Sequence, residues 1–99
     1  MFNITQHKGF GITFDNGITA SVQWGPGNYC DHHASVMDFE KPKRQDSWKS
    51  STAEVAAIDT ATGEFVAVPG FTGPEHFDDV AGRLTPAQVL EFLNAVAAL

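Results

Sequence analysis

The sequence predicts an α+β fold: an antiparallel sheet of about four strands, arranged as two hairpins, with one C-terminal helix packed on it. Three observations carry this expectation. Residues 10–24 alternate apolar and polar side chains on both sides of Asp15-Asn16-Gly17. Residues 52–68 hold two β-rich runs around Thr60-Ala61-Thr62-Gly63. Residues 85–97 begin with helix start signals and continue as an apolar stripe. At 99 residues, 42% of them hydrophobic, the chain suits one small domain over 1–99 with one modest core.

The first hairpin is the most constrained element. A two-residue Asn16-Gly17 turn would pair Phe14 with Thr19 and Ile12 with Ser21, setting apolar side chains beside polar ones. A three-residue Asp15-Asn16-Gly17 loop pairs Phe14 with Ile18, Ile12 with Ala20 and Phe10 with Val22, all on one face. A slip of one residue flips every side chain, so burial selects the second register. That register predicts a type I turn with Gly17 in the left-handed region, closing a bulge. Thr13, Thr19, Ser21 and Gln23 then share the polar face.

A second hairpin is expected from Thr52–Asp59 and Glu64–Val68. Here Val55, Ala56, Ala57, Ile58, Phe65, Val66 and Val68 put apolar groups on both faces, as in strands covered on two sides, and the register stays open. At the C-terminus Thr85 fits an N-cap, Pro86 the first helical position and Gln88 the capping-box partner. Val89, Leu90, Phe92, Leu93, Val96 and Ala97 form the stripe that docks on the sheet or shares a dimer interface. Long connections remain at about 25–50 and 69–84; such lengths are usually functional or disordered, and both are expected to project from the sheet and carry the function.

The net charge of −6 is unevenly spread. Lys41, Lys43, Arg44 and Lys49 against Asp46 give residues 41–49 a charge of +3. The rest sets Lys8 and Arg83 against eleven acids, −9. The acidic bulk disfavours direct binding to nucleic acid and to anionic membranes and suits a partner with a basic surface. No apolar run is long enough to span a membrane. Residues 1–8 lack the basic-then-apolar pattern of a signal peptide, and the one cysteine excludes an internal disulfide framework. A cytoplasmic location follows as the simplest expectation.

The stretch Gly25-Pro26-Gly27-Asn28-Tyr29-Cys30-Asp31-His32-His33 holds the residues that look most chemical. Cys30, His32 and His33 are half of a zinc pattern, with His76, Asp78 and Asp79 in the other long connection, but four ligands in paired spacing are not there. Cys30 has His32 and His33 nearby as bases yet none of the cysteine-protease signatures. Adjacent Asp78 and Asp79 do not face each other as an acid/base pair. The chain is therefore read as a non-enzyme with no cofactor, a metal- or cysteine-dependent small enzyme standing as the third reading after the two binding ones. The glycine loop lacks the Gly-Lys-Ser/Thr of a P-loop, but beside Trp24, Tyr29, Lys43, Arg44 and Trp48 it has the aromatic faces and cations that hold a nucleotide or other anion. Aromatic residues in an acidic surround equally suit a protein interface. Trp24, Gly25, Gly27, Asn28, Tyr29, Lys43, Arg44 and Trp48 are the candidate ligand- or partner-binding residues under both readings.

Phe14-Asp15-Asn16-Gly17, leading to Ser21-Val22-Gln23-Trp24-Gly25-Pro26-Gly27-Asn28-Tyr29-Cys30-Asp31, resembles small proteins of unknown function from bacteriophages and prophages. The resemblance continues at Ser51-Thr52-Ala53-Glu54-Val55-Ala56-Ala57, at Asp78-Asp79-Val80 and at Leu84-Thr85-Pro86, and spans most of the chain outside 34–50. It implies no catalytic residues. It implies a context, the bacterial host cytoplasm, where accessory phage proteins of this size inhibit host defence by binding a defence protein or by sequestering its nucleotide signal. The partner expected is thus a host protein or a small nucleotide, with a homodimer also compatible with the bare strand edges.

Overall fold

The computed structural model describes residues 1–5, 8–24, 49–76 and 78–99. It is an α+β fold: β1 (Phe2–Thr5), β2 (Gly9–Thr13), β3 (Ile18–Gln23), β4 (Ala53–Asp59) and β5 (Val80–Leu84) form one antiparallel sheet in the order of the chain, and α1 (Pro86–Ala97) packs against it. The sheet has five strands where about four were expected.

The β2–β3 hairpin has the register that burial demands. Phe10 pairs with Val22 and Ile12 with Ala20. Phe14 N–H donates to Ile18 O and Gly17 N–H to Phe14 O, both at 3.0 Å. Gly17 has φ +82°, the left-handed value the bulged turn requires. On the polar face Thr13 and Thr19 share a hydroxyl hydrogen bond of 2.8 Å, and Gln23 donates to the Ser21 hydroxyl.

The second hairpin needs correction. Thr52–Asp59 supplies β4, but Glu64–Val68 is not a strand. It holds one bridge, Ile58 to Phe65, and a 2.9 Å bond from Val66 N–H to Ala57 O before it leaves the ladder. Val68 then turns wholly into the core, and Pro69 has no N–H with which to continue pairing. The rest of that edge of β4 is taken by β5, from within the connection expected to be loop. Ala56 pairs with Val80, Val55 with Ala81 and Ala53 with Leu84, with a bulge at Gly82-Arg83 where Arg83 sits at φ +55°. Nor does the connection before β5 project: Val68 and Thr72 are buried, and Phe71 meets the Phe92 ring edge-on at 5.4 Å. The other unforeseen strand is β1, paired with β2 from Phe2↔Ile12 to Thr5↔Gly9.

The helix is held at both ends. Gln88 N–H donates to the Thr85 hydroxyl and Thr85 N–H to the Gln88 side chain, a complete capping box with Pro86 in the first turn. At the far end Asn16 Nδ2 donates to Val96 O (2.8 Å) and Leu99 O (3.2 Å), while Asn16 Oδ1 accepts from Ile18 N–H. One side chain thus shapes the hairpin tip, caps the Val96 carbonyl of the helix and ties down the Leu99 oxygen beyond it. Of the expected stripe, Phe92 and Val96 are fully buried and Val89 and Leu93 partly so; Leu90 and Ala97 are exposed, because only positions spaced i, i+3, i+4, i+7 can face one sheet. The core joins these residues to Ala20, Val22, Ala53, Val55, Ala57, Val68 and Leu84.

Two substitutions test this arrangement. Asn16→Ala is expected to lower unfolding free energy by about 1–2 kcal/mol in urea melts, through lost bonds to the helix end. Asn16→Asp should be at least as damaging at neutral pH, since it replaces a donor with a carboxylate at the negative end of the helix. Gly9→Ala should cost about 2 kcal/mol or more, because its Cβ would lie 2.0 Å from Val22 O, a backbone atom that cannot move without breaking the β2–β3 ladder.

Candidate functional site

β3 and β4 are adjacent and antiparallel, with Gln23 opposite Glu54. The chain leaves at Trp24 and returns beside the same point at Ala53. Such neighbours need only about two to five connecting residues. Residues 24–52 are spent on this connection, so its length is set by something other than linking the strands.

A cleft of about 270 Å³ lies at this end of the sheet. Val22 and Trp24 contribute from the end of β3, Ser50 to Ala53 from the entry to β4, Leu84 from the end of β5, and Pro86 and Val89 from the first turn of α1. The lining is apolar at Val22, Ala53, Leu84 and Val89, and hydroxyl-bearing at Ser50, Ser51 and Thr52. Trp24 is anchored rather than loose: its backbone N–H donates to Lys8 O at 2.7 Å, and its ring meets Phe10 edge-on at 6.1 Å. Ser50 Oγ donates to Thr52 O at 2.6 Å and accepts from Thr52 N–H, so this hydroxyl serves the turn into β4. No described lining residue is an acid or a base. The arrangement can receive an aromatic or aliphatic group; its described residues supply no proton-transfer pair.

Of the candidate residues read from the sequence, Trp24 lines this cleft. Gly25, Gly27, Asn28, Tyr29, Lys43, Arg44 and Trp48 lie outside the described residues, as do His7, Cys30, His32 and His33. Among the described residues, no three histidine, cysteine, aspartate or glutamate side chains converge on a point. His76 is exposed in a single 3-10 turn, Pro74–His76. Asp78 is used locally, accepting from Val80 N–H at 3.1 Å to start β5. The sequence did not foresee Leu84, Pro86 and Val89 as cleft residues: their place beside Trp24 depends on β5 lying against β4, which no local pattern announces.

No protein-family model, curated protein or solved structure matches this chain. No described helix is long and apolar enough to cross a membrane.

The cleft wall depends on the helix start. Thr85→Ala is expected to cost about 1 kcal/mol by removing the cap, and to increase hydrogen exchange at the amides of Ala87 and Gln88 before the rest of the helix.

Proposed function

We propose that this chain is a non-enzymatic binding protein of phage type that inhibits a bacterial host defence protein by direct association in the host cytoplasm. The observation that carries this reading is the disproportion of the β3–β4 connection. Adjacent strands are joined by residues 24–52, whose ends flank an apolar cleft with a fixed tryptophan at its wall. Loops on a rigid sheet are where recognition residues concentrate, and aromatic anchors dominate interface energetics. The −9 charge outside residues 41–49 favours a partner with a basic surface. The resemblance to phage proteins supplies the host setting.

A second reading is sequestration of a small nucleotide, with Tyr29, Lys43, Arg44 and Trp48 as its contacts. The cleft favours it to the extent that a flat ring can lie among Trp24, Leu84 and Val89.

The two readings separate in one comparison. Binding of a host protein predicts a stoichiometric complex on size-exclusion chromatography, no turnover, and loss of the complex in a Tyr29→Ala/Trp48→Ala variant with an unchanged melting temperature. Sequestration predicts instead a thermal shift and calorimetric heat with linear or cyclic nucleotides, abolished by Lys43→Glu/Arg44→Glu. A nucleotide response without any macromolecular complex overturns the first reading.

A further inference from the structure

The two edges of the sheet are built differently. At the β5 edge a bulge at Gly82-Arg83 and the exposed Arg83 side chain interrupt any regular pairing. The β1 edge, Phe-Asn-Ile-Thr, has no charge, no proline and no bulge. Its apolar side chains are bare: Phe2 is 78% and Ile4 86% exposed.

The hydrogen-bond phase of β1 follows from its register. Met1 and Thr13 exchange both backbone bonds, at 2.7 and 3.0 Å. Bonded and non-bonded pairs alternate along an antiparallel ladder. Asn3 and Thr5 therefore point their N–H and C=O groups at β2, and Phe2 and Ile4 point theirs out of the sheet. Phe2 and Ile4 also set their side chains on the helix-bearing face, opposite Ile12 and Phe10. The helix packs on β3, β4 and β5, so it stops short of them.

We propose that β1 is the interface of a homodimer, in which two copies pair β1 antiparallel about a two-fold axis through Asn3. In that register Phe2 of each copy opposes Ile4 of the other, and their outward N–H and C=O groups satisfy one another. The pattern is self-complementary: donor, acceptor, aromatic and aliphatic group all find their counterpart in the same segment, as an isologous contact requires. Aromatic beside β-branched is a favourable cross-strand pair. Phe2 and Ile4 of both copies form one apolar cluster on the helix side, lying between the two helices. Phe2–Thr5 carries no charged side chain, so none of the chain's twelve acidic side chains sits within the paired segment. Each exposed large side chain offers on the order of 150 Å². With Met1 and the strand backbone the pair buries less than about 1,000 Å² in total, below the size of a standard specific interface and in the range of transient contacts, so a weak, concentration-dependent dimer is expected.

Sedimentation velocity of the full chain over a micromolar-to-millimolar series tests this. The expected result is a monomer–dimer equilibrium. Ile4→Pro removes only an outward N–H and should weaken the dimer at least tenfold while the far-UV circular dichroism stays that of the wild type. Ile4→Lys, at a side chain the monomer leaves exposed, should do the same without relying on tolerance of proline. Leu90→Lys, on the exposed helix face, should leave the dimer intact. A monomer throughout the series, a dimer surviving Ile4→Lys, or one lost in Leu90→Lys alone would each overturn the proposal.

Discussion

The contact on which the structure depends is the seating of Phe92 and Val96 over a sheet surface floored by alanine. Ala20 and Ala57 pair directly across β3 and β4, and both are fully buried. Small side chains there let the helix approach closely enough for Phe92 to be enclosed, and burying such a ring stabilises the fold by about 3 kcal/mol. The capping box at Thr85 and the Asn16 side chain at Val96 fix the helix at its two ends. The seating is therefore defined in position as well as in energy.

One helix cannot cover this sheet. A helix is about 10–12 Å across and strands are spaced at about 4.8 Å, so it shields two or three of five. The remaining apolar surface is managed in different ways at different places. Beside the helix, Val66, Val68 and Phe71 from the β4–β5 connection join the core, which is why that connection is packed inward. At the N-terminal end of the helix the cover is incomplete and leaves the cleft beside Trp24. Past β2 the described residues supply no cover, and Phe2 and Ile4 stand in solvent. The two surfaces offered for recognition are thus places where, among the described residues, α1 leaves the sheet unfinished.

The parts of the fold legible in the sequence are those decided by neighbours along the chain. The β2–β3 register followed from alternation plus one glycine, and the helix start from Thr85, Pro86 and Gln88. β1 and β5 were not legible. Phe2–Thr5 is a four-residue strand, too short for alternation to stand out, and the bulge at Gly82-Arg83 breaks the period in Val80–Leu84. For the candidate site, Trp24 could be singled out as an aromatic residue opening a long connection. Part of the wall that gives it a cleft, Leu84, Pro86 and Val89, comes from residues some sixty positions away, and no local pattern sets them beside Trp24.

By itself, then, the sequence determined the class of fold, the hairpin register and turn, the capped helix and the uneven charge. Each of these rests on side chains within a few residues of one another, or on composition alone. Only the tertiary structure decided which segment pairs with the second edge of β4. Glu64–Val68 is the nearer and the more apolar, yet it yields most of that edge to Val80–Leu84, because Val68 is worth more in the core than on the ladder and Pro69 cannot extend it. That choice makes Val80–Leu84 the edge strand β5 and brings Leu84 to the cleft. Strand pairing between distant segments is a competition among burial energies across the whole molecule, and it is resolved only when the core is assembled.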